Sequence, residues 1–250
     1  MEPQASLLVT AGIPALALAV LVALGVAVAR VAPRGRRRRH VVAFVAGAAA
    51  WLGYTTALAA SGVLASDGLP PRMLLLLPPL IALPVWIARS PLGARLAGMP
   101  VAWLVAFHAF RLPLELVMHA AAAEGTMPAQ MTYTGYNLDI VTGATAVVVG
   151  GLAWAGRAPR GLLVAWNALG TALLAAIVAI SVASLPAFRA FGDEPAAVNS
   201  WVAHPPFHLL PAVLVASALL GHLVLWRRLA SPHRSGVEVA PAGVAASLRG

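Results

Sequence analysis

The sequence predicts an all-α, polytopic membrane bundle of seven transmembrane helices, and three observations lead there. Of its 250 residues, 60% are hydrophobic and only 10% are charged. The mean hydropathy is +0.85, more than a soluble core of this length can hide. Seven stretches each supply the roughly 17 to 25 largely apolar residues that a helix needs to cross a bilayer. The arginines fall on alternate sides of those stretches with a strong bias.

The stretches are residues 6–31, 41–65, 73–89, 100–123, 138–155, 161–185 and 201–226. In the first, basic residues follow the apolar run instead of preceding it, and the run is too long for a signal-peptide core, so it is a retained span. The second follows the Arg36–Arg39 run. The third contains Pro78, Pro79 and Pro84, which must kink or break it. The fourth carries a stripe of ionisable residues. The fifth begins at Asn137 and Asp139, either of which suits a helix N-cap. Thr142 and Thr145 in the fifth span, with Asn167 and Thr171 in the sixth, extend a polar interior or join helices by hydrogen bonds. The seventh starts near Pro205 and Pro206 and carries His204, His208 and His222. Connections are short, with no Gly/Ser linker and no internal repeat. One seven-helix domain over residues 1–230 is therefore expected, with a short, disordered cytoplasmic tail over 231–250.

All 17 basic residues are arginine, which together with abundant Ala, Gly, Val and Pro suggests a GC-rich bacterial genome. With the N-terminus outside, one face collects Arg30, Arg34, Arg36–Arg39, Arg89, Arg95, Arg157, Arg160, Arg227, Arg228, Arg234 and Arg249. The other collects only Arg72 and Arg189. By the positive-inside rule the first face is cytoplasmic, in an inner membrane, and the C-terminus lies there too. The acidic residues Glu2, Asp67, Glu124, Asp139, Asp193 and Glu194 fall outside. This distribution also accounts for the net charge of +9. The arginine run is a topology determinant in contact with anionic lipid, and no nucleic-acid partner is expected. There is no cysteine, which excludes disulfides, thiolate metal sites and cysteine nucleophiles.

The clearest functional mark is the run from His108 to His119. At about 100° per residue, His108, Arg111, Glu115 and His119 fall within roughly 80° of one another on one helix face. An Arg or Glu at mid-bilayer costs about 2.5 to 3.5 kcal/mol even on a mild insertion scale, so the stripe must face protein or water. Arg111 and Glu115, one turn apart, make an intrahelical salt bridge the simplest expectation, although Arg before Glu is the weaker order. Pro113 leaves the carbonyl of Ala109 without its donor and predicts a kink beside the charges. Two readings stay open: a buried ion pair that locks helix packing, or a pocket for a small substrate or ion near the outer leaflet.

In the pocket reading, Glu115 and His119 are the candidate catalytic acid/base groups and Arg111 holds an anionic head group. His108, Arg111, Tyr133, Asn137 and Asp139 are the candidate substrate-binding residues. The last three lie in an outer loop, 124–139, suited to fold over the stripe as a lid; its tyrosines also suit interface anchors. His204 and His208, at i and i+4, together with His119 at the same predicted depth, form a candidate metal site for zinc. Met127 and Met131 in the loop admit Cu(I). Inward histidines on two helices also suit axial haem ligation. His222, toward the cytoplasmic end, is a poorer member of this cluster, and His40 and His233 belong to solvated arginine-rich segments. A proton-coupled transporter or a sensory or structural protein would use the same stripe. Phosphate-binding and dinucleotide glycine loops, the Gly-x-Ser-x-Gly elbow and the His-Glu-x-x-His zinc helix are absent.

The combination of Phe110, Arg111, Pro113 and Glu115, then Pro128, Gln130, Met131 and Thr132, then Gly135, Asn137, Asp139 and Ile140, then Thr142 and Gly143, then Leu210 and Pro211 resembles a group of uncharacterised bacterial multi-pass inner-membrane proteins. The likeness covers residues 108–226 and implies a shared fold and site without naming an activity. The His204 and His208 spacing also resembles the seven-helix zinc hydrolases of the adiponectin-receptor and alkaline-ceramidase group. Their early-helix Ser, Asp and His pattern has no counterpart here, because Ser61, Ser66 and Asp67 lack a companion histidine.

Overall fold

The computed structural model describes residues 5–65 and 71–231, all helix, turn and loop, with no strand among the described residues. Of the expected tail over 231–250, residues 232–250, with His233, Arg234 and Arg249, lie outside them, as do Glu2 and Asp67. Six helical segments are long and apolar enough to cross a membrane: Leu7–Val31, Arg34–Ala60, Arg72–Arg89, Val101–Ala123, Arg160–Ala183 and Leu210–Ala230. A seventh apolar helix, Ile140–Trp154, is shorter. Its 15 residues rise about 22 Å, against the roughly 30 Å of a hydrocarbon core.

The α-helices are α1 (Leu7–Val31), α2 (Arg37–Ala60), α3 (Leu77–Arg89), α4 (Pro91–Ala97), α5 (Val101–Ala106), α6 (Arg111–Ala123), α7 (Ile140–Trp154), α8 (Arg160–Ala183) and α9 (Ala216–Ala230). Local chemistry sets their ends. Ser6 caps α1 by accepting from the Val9 N–H. Ser90 caps α4 through the N–H groups of Leu92 and Gly93. Two helices close in the Schellman pattern on a left-handed glycine. At α6, Gly125 has φ +72° and the Thr126 N–H reaches the Ala121 carbonyl. At α7, Gly156 has φ +69° and the Arg157 N–H reaches the Leu152 carbonyl.

Proline shapes three spans. In the third, Pro78 and Pro79 fall in the first turn of α3, where no N–H is required, after a 3-10 turn over Arg72–Leu76; Pro84 alone lies inside. In the fourth, α5 and α6 are joined by a 3-10 turn over Phe107–Phe110, just where Pro113 deprives the Ala109 carbonyl of its partner. The seventh span departs from expectation. Residues 201–209 form a 3-10 turn and a further turn, and the membrane-length segment starts at Leu210 with a π-helical turn, Leu210–Val215. Pro205 and Pro206 lack the N–H donors that an α-helix from residue 201 would use. At the other end of the chain, Arg37–Arg39 lie within the first turn of α2, not in a preceding loop.

The segments Val101–Ala123 and Leu210–Ala230 form the centre of the bundle, with half or more of their most apolar stretch buried, against 6% for Arg34–Ala60. One apolar core joins α1, α6, the loop residues Met127 and Met131, α8 and the start of the seventh span. A second joins α4, α5, α7, α8 and α9. Along the fourth span Leu104 and Val105 belong to the second core and Leu114 to the first. Polar residues fill the interval between them.

Candidate functional site

Arg111 opens α6 directly after the 3-10 turn, and its guanidinium is 1% exposed. It does not bridge to Glu115. The guanidinium forks onto Asp139, with Nε donating to Oδ2 at 2.6 Å and Nη2 pairing with Oδ1. The expectation of an i, i+4 pair fails for two reasons. Arg before Glu is the poorer orientation within one helix, and Asp139, at the start of α7, offers a bidentate partner across the helix junction. Asp139 occupies the N-cap position of α7, but its side chain turns to Arg111 and makes no cap hydrogen bond.

The other guanidinium edge meets α9. Arg111 Nη1 donates to His222 Nε2 at 2.9 Å, and His222 Nδ1 lies 2.8 Å from Asn167 Oδ1. The Asn167 amide nitrogen in turn donates to the His222 carbonyl at 3.2 Å. These contacts assign one tautomer: Nδ1 carries the hydrogen and Nε2 accepts from the cation, so the ring is neutral. His222 is thus central, contrary to its minor place in the sequence reading.

His108 packs beside it, with ring centroids 4.0 Å apart and a tilt of 33°. The edge of Trp166 closes the other side at 5.5 Å. His108 is fully buried, and neither ring nitrogen has a hydrogen-bond partner. Glycines make room for both rings. A Cβ on Gly170 would stand 2.6 Å from His222 Cε1, and one on Gly221 would stand 2.7 Å from His108 Nε2. Gly143 allows α7 to pass the start of α6, since a Cβ there would meet the backbone of Arg111 and Leu112.

Glu115, 1% exposed, sits one turn beyond Arg111. Both of its oxygens accept from Asn137 Nδ2 at 2.9 Å, and the same nitrogen lies 3.0 Å from the Met131 carbonyl. Asn137 Oδ1 accepts from the Asp139 N–H. The loop before α7 therefore folds onto the stripe and supplies two polar members, Asn137 and Asp139. Gln130 anchors it from behind, donating to Ser184 Oγ at 3.0 Å and to the Ala197 carbonyl at 2.7 Å. Met127 and Met131 are buried in the apolar core.

The remaining candidates do not join this network. His119 is half-buried and stacks on Tyr133, with centroids 4.7 Å apart. His204 is exposed, with Nδ1 against the Ser200 carbonyl, and it lies in the turn before the seventh helix. His208 is buried in the same turn and pairs through Nε2 with Thr56 Oγ1 at 3.0 Å. The structure thus does not bring His119, His204 and His208 into one metal site: the prolines delay the helix and leave His204 and His208 in a turn with separate partners, while His119 stacks on Tyr133. Among the described residues no group of three or more His, Cys, Asp or Glu is arranged to hold a metal ion. Asn167 and His222, which sequence reasoning left at the margin, complete the site that His108 and Arg111 begin.

The assembled site contains two carboxylates, one guanidinium, two imidazoles and two carboxamides, drawn from the 3-10 turn Phe107–Phe110, α6, the loop and N-cap before α7, α8 and α9. Comparison of the chain with protein families, curated proteins and solved structures finds no match.

Proposed function

We propose that this chain is a seven-span bacterial inner-membrane protein, N-terminus outside, whose buried site binds a proton on Glu115 and couples its exchange to the state of the bundle. The observation that carries the reading is a charge count. Arg111 is fully matched by Asp139, and His222 is neutral by its hydrogen bonds. Glu115 is left as a second carboxylate with only a carboxamide as partner. An unmatched charge at this depth is strongly disfavoured. Glu115 therefore takes up a cation, and a proton is the cation that needs no volume of its own in a closed network. Arg111 and Asp139 act as the fixed pair, and the neutral His222 and unpartnered His108 extend the polar path toward the arginine-rich end. The six membrane-length apolar helices and the arginine bias support the membrane and sidedness parts of this reading.

Infrared spectroscopy of the reconstituted protein tests it. A protonated-carboxyl C=O band at neutral pH that shifts in D2O, disappears in Glu115→Gln and doubles in Arg111→Leu is expected. No such band in the wild-type protein, or its survival in Glu115→Gln, would exclude the proposal. Proteoliposome flux assays, with Glu115→Gln as the silent variant, test the coupling.

A further inference from the structure

A cavity of about 410 Å³ lies on the flank of the bundle, between α1 and the fourth and seventh spans. Along α1 it is lined from Ala19 to Arg30, and across from these by Trp103, Phe107, Phe110 and Gly221. Its walls are apolar but for one end. There Arg30, exposed in the last turn of α1, lies over the Trp103 ring at 5.2 Å from its centroid. Among the described residues the ion pairs are Arg111 with Asp139 and Arg189 with Asp193, so Arg30 has no carboxylate partner.

We infer that this groove is a binding site for one acyl chain of an anionic phospholipid, with the lipid phosphate at Arg30. Depth supports that occupant. Eleven helical steps from Ala19 to Arg30 rise ~16 Å, about one leaflet of a roughly 30 Å hydrocarbon core. Trp103 and Trp154, in edge contact at 5.7 Å and both exposed, mark the head-group level at the same end. Charge supports it as well: Arg34 and Arg36–Arg39 follow at once in the chain, and Arg95 stands against His40 on α2 at 3.3 Å. This end of the bundle attracts a negative head group. A second copy of the chain would have to offer an acidic partner for Arg30; the groove's lining contains none.

Native mass spectrometry of delipidated protein, titrated with phosphatidylglycerol or with phosphatidylcholine of the same chains, decides the matter. One tight phosphatidylglycerol per chain is expected, favoured about fivefold over phosphatidylcholine, which corresponds to the ~1 kcal/mol that one basic side chain gives toward anionic lipid. Arg30→Gln should abolish the preference while retaining weak binding of both lipids. Ala23→Phe, which fills the groove from an exposed position, should lower occupancy of both at least tenfold. Both variants should melt as the wild-type protein does in zwitterionic detergent. Equal affinity for the two lipids in the wild-type protein, unchanged occupancy in Ala23→Phe, or a lipid-free dimer that fills the groove would overturn the assignment.

Discussion

Replacing Arg111 by leucine should destabilise the protein far more than replacing Asp139 by asparagine, although the two form one ion pair. The asymmetry follows from Glu115. Without Arg111, the Asp139 carboxylate is left buried beside the protonated Glu115 with no cation, and His222 Nε2 loses its donor. Removing one member of a buried pair costs about 3 to 5 kcal/mol. Interhelical hydrogen bonds in bilayers average only ~0.6 kcal/mol, so loss of the His222 contact cannot produce an effect of that size; the stranded charge does. In Asp139→Asn the guanidinium keeps an amide oxygen as acceptor, and Glu115, one turn away, can ionise as its counterion. The cost there should be near that of one charge-assisted hydrogen bond, about 1.5 to 3 kcal/mol. The double variant should recover about 1 to 3 kcal/mol relative to the sum of the single effects, the coupling expected of groups in contact. Equilibrium unfolding in bicelles, titrated with denaturing detergent, measures all four corners of the cycle. Additive effects, or a larger loss for Asp139→Asn than for Arg111→Leu, would refute the charge count and the proposed proton on Glu115 with it.

Gly170→Ala and Gly221→Ala should each cost about 1 to 3 kcal/mol, because the new methyl meets a histidine ring that has nowhere to move. Gly53→Ala, with nothing within 4 Å of the added Cβ, should be neutral or stabilise by up to ~1 kcal/mol, and thermal melts compare the three. At the end of α6, Glu124 accepts from the Ser6 N–H at 2.9 Å, and hydrogen bonds from the Ser6 side chain and backbone hold its carboxyl below the ordinary value. The tie between the start of α1 and the end of the fourth span is therefore present above the ordinary carboxyl range and lost as pH falls through the lowered value. Glu124→Gln should flatten that part of the stability-against-pH curve, and an unchanged curve would remove Glu124 from the account.

Helix content and six of the seven expected membrane-length segments were legible because burial in lipid demands continuous apolar runs, and the runs are plain in the sequence. The stripe of His108, Arg111 and Glu115 was legible for the same reason: a charge in such a run stands out. Pairing was not. Asp139 lies 28 residues from Arg111 and His222 lies 111 residues away, so only the packing of the fourth span against α7 and α9 could reveal them. The intrahelical Glu115 pairing was a nearest-neighbour choice, and the cross-helix fork displaced it. His204 and His208 misled because a 3.6-residue periodicity was assumed through Pro205 and Pro206, where the backbone lacks the donors to sustain it. The groove along α1 left no sequence signal beyond Arg30, since apolar residues lining a crevice read like those facing lipid.

The close approaches at Gly143, Gly170 and Gly221 bear on how the chain assembles after insertion. Helices in a bilayer gain little by hiding apolar surface from one another, because acyl chains are as apolar as leucine. Small-residue packing and polar contact are what draw them together. Here both occur at one place: Gly143 against the backbone of Arg111, Gly170 against His222 and Gly221 against His108. The polar centre is therefore also the principal source of cohesion for α6 to α9. By contrast, α2 is attached by packing on α1 and by three polar clips, Trp51 Nε1 to the Ala212 carbonyl, Thr56 to His208 and His40 to Arg95. In a bundle built this way, the contacts that hold α6 to α9 together are the same ones that hold the buried charges in register.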